Sequence, residues 1–131
     1  MVYVMHALII EDQPMIAALI ECVLMDCGFD TFDFAASSDE AILAAARRCP
    51  DLITVDVTLE SGNGIEAIRI ICPGLSTPVI FITGLAAAEV RAKIANYPVL
   101  HKPFSEQTLA YAVAASLNER VGPAVSTSHC R

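Results

Sequence analysis

Basic residues are scarce. Eight Lys and Arg stand against fifteen Asp and Glu, a formal charge of −7. Nucleic-acid binding depends on cations that displace counterions from phosphate, so this balance argues against DNA or RNA as a partner of this chain. Long apolar runs are also missing. The Met1–Ile10 stretch ends at Glu11-Asp12, well short of the roughly 20 apolar residues of a membrane helix. It has neither a basic n-region nor a small-residue cleavage site. No membrane association is expected, and the cytoplasm is the expected location. The five cysteines (Cys22, Cys27, Cys49, Cys72, Cys130) are odd in number and have no CxxC or Cys/His ligand spacing, which excludes a zinc site and a disulfide framework. They are expected to be reduced and mostly buried as packing residues. His6, His101 and His129 are scattered without ligand spacing, so no metal or catalytic role is assigned to them. The chain also has no Ser/Thr/Gly-rich phosphate loop after its first apolar run, which counts against a flavodoxin-like nucleotide-binding protein.

What is present is a core. With 131 residues, 55% of them hydrophobic, the chain suits one domain. Short apolar runs at about 5–10, 31–35, 52–56, 78–82 and 98–101 read as strands, several of them continuously apolar, as strands covered on both faces should be. Helical patterns alternate with them. Over 14–27, Met15, Ile16, Leu19, Ile20, Val23 and Leu24 recur at helical spacing, with Pro14 suited to the first turn and Gly28 to the stop. Ser37 with Glu40 gives the S-x-x-E pattern for a helix to about Arg48. Asn63 caps a third through Ile71, and a fourth, alanine-rich and weakly anchored, is expected over 86–95. Ser105 caps the fifth, with Leu109, Val113, Ser116 and Leu117 inward and Tyr111, Ala114 and Ala115 on a solvated face. Neither an internal repeat nor a long linker interrupts this order. Five βα units imply a three-layer, doubly wound parallel α/β sheet with helices on both faces.

Four chemical signals fall where these strands end: Glu11-Asp12, Asp56, Thr83 and Lys102-Pro103. In an open parallel sheet the strand carboxyl ends converge on one crevice, so the four meet there. Three carboxylates at one edge repel each other, and a hard divalent cation held by oxygen ligands relieves that repulsion, Mg²⁺ being the usual choice where a phosphate shares the shell. Alone, each signal has a plain explanation. An acidic pair before a helix is commonly dipole-favoured charge, Asp56 a loop aspartate, Thr83-Gly84 a strand exit and Lys102-Pro103 a turn. The argument lies in their joint occurrence, in order.

Ile9-Ile10-Glu11-Asp12, Val55-Asp56 with Gly64 eight residues on, Phe81-Ile82-Thr83-Gly84 and Lys102-Pro103-Phe104 together resemble a response-regulator receiver domain, over about Met5 to Arg120. The resemblance implies a flavodoxin-like (βα)5 fold, strand order 2-1-3-4-5, with a receiver domain over 1–120, and the Gly, Pro, Ser and Thr content from Val121 suggests a flexible tail over 121–131. It implies a stand-alone switch rather than a turnover enzyme. Asp56 would accept a phosphoryl group from a histidine kinase or histidine phosphotransfer protein. Glu11, Asp12, Asp56 and the backbone carbonyl of Thr58 would hold Mg²⁺, Lys102 would meet a phosphoryl oxygen, and the Thr83 hydroxyl would engage another. An unnamed downstream protein would read the change, the chain itself being a monomer or weak homodimer. Two departures stand out. Val99 occupies a place that is aromatic in most receivers, and Gly84 replaces the commoner alanine or serine, partly resembling a Phe-x-Thr-Gly subgroup. The expected output route is therefore Thr83, Gly84 and reordering of 85–96. The rival is a haloacid-dehalogenase-like phosphatase, which also uses an aspartyl phosphate, but its fold normally opens with the nucleophile strand.

Overall fold

A computed structural model describes residues 3–59, 62–71, 77–84 and 97–120. The helix expected over 86–95, the output segment 85–96 and the tail over 121–131 lie outside the described residues. Five parallel strands, β1 (His6–Ile10), β2 (Thr31–Ala35), β3 (Leu52–Asp56), β4 (Val79–Thr83) and β5 (Val99–His101), form one sheet in the order β2-β1-β3-β4-β5. Four helices are described: α1 (Pro14–Asp26), α2 (Ser38–Arg47), α3 (Gly64–Ile71) and α4 (Glu106–Arg120).

The strands sort their side chains by alternation. Leu8, Ile10, Ile53, Val55, Val79 and Phe81 face one way and pack with Ala41 and Ala44 of α2 and Ile65 and Ile68 of α3. Ala7, Ile9, Leu52, Ile80 and Ile82 face the other way, against Ile20, Val23 and Leu24 of α1 and Leu109 and Val113 of α4. Because β1, β3 and β4 are covered on both faces, every residue in them is buried, which explains their unbroken apolar runs.

Helix boundaries follow local chemistry. Pro14 occupies the first turn of α1, where its missing N–H removes no intrahelical bond. Beyond the end of α1, Gly28 takes φ +103°, a conformation that costs a residue with a Cβ. The Ser37 hydroxyl accepts from the Glu40 N–H at 3.2 Å, but the Glu40 carboxylate returns to the N–H of Ala36 at 2.7 Å rather than to that of Ser37, a capping box displaced by one residue. Asn63 Oδ1 caps α3 through Ile65 N–H at 2.7 Å, and Ser105 Oγ caps α4 through Thr108 N–H at 3.1 Å.

At the edge opposite the strand carboxyl ends, the His6 ring ties β1 to β2. Its Nε2 lies 3.0 Å from Asp33 Oδ2 and its Nδ1 2.8 Å from Thr31 Oγ1, so both ring nitrogens have a polar partner. The buried Asp51 carboxylate accepts from the His6 backbone N–H at 2.8 Å and from the Tyr3 hydroxyl.

The cysteines depart from expectation. Cys22 is free and exposed on the outer side of α1, and Cys27 is free and half-buried. Cys49 is disulfide-bonded rather than reduced. Hydrophobicity alone does not place a small thiol inward when its helix position faces solvent, and proximity across the fold is not written in linear spacing.

Candidate functional site

Glu11 follows β1 directly, Asp56 ends β3, Thr83 ends β4 and Lys102 follows β5. Parallel pairing in this register therefore puts all four at one edge. Backbone bonds hold them there: Glu11 N–H to Ala35 C=O at 2.9 Å, Val57 N–H to Ile82 C=O at 3.1 Å, and Lys102 N–H to Thr83 C=O at 2.8 Å. The Lys102–Pro103 peptide is cis.

Carboxylate oxygens of Glu11, Asp12 and Asp56 lie within 4.8 Å of one another. Glu11 and Asp56 are buried, while Asp12 is partly exposed. Lys102 Nζ lies 3.3 Å from Glu11 Oε1 and 3.1 Å from Asp56 Oδ2. Two backbone donors complete the arrangement: Gln13 N–H to Glu11 Oε2 at 3.2 Å and Thr58 N–H to Asp56 Oδ1 at 3.0 Å. Burial, and next the charge of Asp56, push the Glu11 carboxyl above the ordinary glutamate range, against the pull of the Gln13 N–H and the Lys102 ammonium. For Lys102, burial is the largest influence and favours the neutral amine. The hydrogen bond and charge of Asp56, joined by those of Glu11, together outweigh it and raise the ammonium pKa.

The electrostatic balance of the cluster identifies what would fit it. Three carboxylates and one ammonium leave two formal negative charges, the deficit that one divalent cation neutralises. The donors are all hard oxygens, the type Mg²⁺ takes. Thr58 stands in the loop directly after β3, where its N–H restrains Asp56. Thr83 is fully buried one residue beyond Asp56 on the neighbouring strand, since Asp56 pairs with Ile82.

Gly64 positions the end of β3 in a way its motif spacing did not disclose. A Cβ on this residue would stand 2.1 Å from the Asp56 carbonyl oxygen and 2.7 Å from Val55 Cγ2, so only glycine lets the start of α3 lie against the end of β3. Its N–H bonds Val57 C=O at 3.1 Å, and Thr58 pairs with Asn63 across the same turn. Gly84 differs: a Cβ there meets nothing within 4 Å among the described residues and its φ lies outside the left-handed region, so those residues give no steric reason for glycine. Val99 packs beside Tyr97 against the core under α3. The Tyr97 ring stands edge-on to Phe81, with centroids 5.5 Å apart and planes at 76°. The aromatic partner of β4 is thus supplied two residues earlier than expected, on the same face.

The chain matches the response regulator receiver domain over residues 7–114. It is 27% identical over 129 residues to a protein-glutamate methylesterase/protein-glutamine glutaminase of Archaeoglobus fulgidus, a match covering 95% of this chain and 37% of that protein. With the KDP operon transcriptional regulatory protein KdpE of Escherichia coli it shares 36% identity over 104 residues, covering 76% of this chain and 45% of that protein. The chain therefore spans less than half the length of these curated relatives. The solution structure of the PhyR response regulator REC domain from Erythrobacter litoralis superposes with a TM-score of 0.81 at 29% identity, covering 94% of this chain and 97% of that one. Nothing in these likenesses supports the haloacid-dehalogenase-like alternative, and the candidate nucleophile stands on the third strand rather than the first. By sequence match, strand order and the convergence of its acidic cluster and lysine, the chain belongs to the response regulator receiver domain family, the phosphorylation-controlled signalling switches of two-component systems.

Proposed function

We propose that this receiver accepts a phosphoryl group on Asp56 from the phosphohistidine of a histidine kinase or histidine phosphotransfer protein, and that the change alters a contact with a downstream protein. The observation that carries this reading is the buried Asp56 carboxylate held between Lys102 Nζ and Thr58 N–H, with two further carboxylates within 4.8 Å. One Asp56 oxygen attacks phosphorus as the phosphorus–nitrogen bond breaks, and the imidazole leaves with the bonding pair. The Thr58 N–H orients the nucleophile. Lys102 supplies a point positive charge, on a flexible stem that follows the oxygen it neutralises. Glu11, Asp12, Asp56 and the backbone carbonyl of Thr58 are the residues that would hold Mg²⁺, which when bound supplies charge neutralisation for the transferring group. The Thr83 hydroxyl donates to a phosphoryl oxygen once it has arrived.

The same reading makes the chain a switch without turnover of a small substrate, working in the cytoplasm as a monomer or weak homodimer, with its folded unit over 1–120. Among the described residues no helix is long and apolar enough to cross a membrane. The test is phosphotransfer profiling: the purified chain incubated with each autophosphorylated kinase of its source organism should take label rapidly from a small subset, and Asp56→Asn should take none. Label that transfers equally well to Asp56→Asn would overturn the assignment.

A further inference from the structure

A groove of about 380 Å³ runs between α1 and the turn from β2 into α2, in the lower part of the roughly 300–1,000 Å³ range of concave binding sites. Its floor is apolar. Ala17 and Ala18 leave room on the flank of α1, and Phe34 projects from β2, the outer strand of the sheet, with 51% of its surface exposed. Glu11, Asp12, Glu21 and Glu40 stand around it, and no Lys, Arg or His is among the described residues that line it. An exposed aromatic beside a small-residue depression, rimmed by charge of one sign, has the anatomy of an interface with an apolar centre and polar edge.

We propose that this groove docks a basic, amphipathic segment of a partner protein, one large apolar side chain seating over Ala17, Ala18 and Phe34 while flanking Lys or Arg meet Glu21 and Glu40. Charge complementarity selects the occupant. Nucleic acid and anionic lipid headgroups are repelled by such a rim, and a second copy of a chain with net charge −7 is disfavoured for the same reason. A small cation would leave the apolar floor uncovered. The groove lies on the flank of α1 facing β2, the opposite edge of the sheet from β5, and reaches the acidic cluster at Glu11 and Asp12; the contacts proposed for the segment use neither residue.

The test uses the whole chain and a synthetic probe: a helical peptide of about 14 residues, near the shortest length at which an isolated helix is marginally populated, with Leu and Phe at i and i+4 and Lys or Arg elsewhere. Amide shifts followed by NMR should be confined to Ala17, Ala18, Glu21 and Phe34–Ala36, and binding should weaken with added salt. Ala18 is exposed on a helix, so Ala18→Glu keeps a good helix former while filling the groove and adding negative charge. If the apolar seat matters, Ala18→Glu lowers affinity about tenfold, the cost of losing one buried anchor. Equal or tighter binding by Ala18→Glu would show attraction by charge alone and overturn the proposal. So would shifts centred on another face, the absence of binding at millimolar peptide, or concentration-dependent shifts of the same residues without peptide, which would give the groove to a second copy.

Discussion

Replacing Gly64 with alanine sets two physical effects against each other. Gly64 is the first residue of α3 and its φ is not left-handed, so helix propensity alone favours alanine by up to about 1 kcal/mol. Packing opposes it. The new Cβ would meet the Asp56 carbonyl oxygen at 2.1 Å and Val55 Cγ2 at 2.7 Å, and a backbone oxygen within a sheet cannot turn aside as a side-chain end can. Overpacking of this kind costs about 1–3 kcal/mol, occasionally more. The turn has little slack, being closed by the Gly64–Val57 bond and the Thr58–Asn63 pairing. With the clash in the upper part of that range and the propensity gain subtracted, the net expectation is a destabilisation of about 1–2 kcal/mol. With an unfolding entropy near 2.1 cal/mol/K per residue, that lowers the melting temperature by about 4–8 °C. Calorimetry of the metal-free protein reads this directly. Because the displaced atoms belong to Asp56, phosphorylation by a small phosphodonor should also slow at temperatures where the variant is fully folded. Gly84→Ala is the matched control: with no described residue within 4 Å of the new methyl, it should fall within about 0.5 kcal/mol of the parent. A Gly64→Ala protein that melts at or above the parent temperature, with unchanged phosphorylation, would refute the steric account.

Three further outcomes follow from the acidic edge. Asp12→Ala should weaken Mg²⁺ binding, and with it the stabilisation that a ligand selective for the native state confers; unchanged affinity by titration calorimetry would remove Asp12 from the site. Because the folded state raises the Glu11 pKa above 4.5, it binds protons more tightly than the unfolded chain, so this group's effect on stability worsens as pH rises through that window. Glu11→Gln should therefore exceed the parent in metal-free stability at neutral pH, and denaturant titrations should show the gap closing as pH falls through the raised pKa. Lys102 has the opposite sense: its pKa is raised above 10.5, so its ion pairs stabilise the fold below that pH and the contribution is lost as pH climbs through the folded value, a slope that Lys102→Met should abolish.

The strands and most helix ends were legible because they rest on local chemistry. Continuous apolar runs announced doubly covered strands, and Pro14, Ser37, Asn63 and Ser105 each cap or open a helix as their side chains allow. The site was legible because parallel topology converts order along the chain into adjacency at one edge. What escaped depends on pairing register or close approach. That His6 meets Thr31 and Asp33 follows from the alignment of β1 with β2, which no local pattern encodes. The donors at Gln13 and Thr58 are main-chain atoms with no signature in residue type. Gly64 was visible as a spacing but not as a steric requirement, whereas no described residue crowds Gly84. Tyr97 lies just before β5 and packs against the same core cluster as Val99, a contact that the spacing of the last strand does not encode.

The central claim is that Asp56 is the phosphoacceptor and that the carboxylates beside it support the transfer. Intact-mass measurement after incubation with a small phosphodonor and Mg²⁺ tests it most directly. The account predicts a single phosphoryl adduct on the parent protein, dependent on the metal and absent from Asp56→Asn. A metal-dependent adduct of the same yield on Asp56→Asn would contradict it.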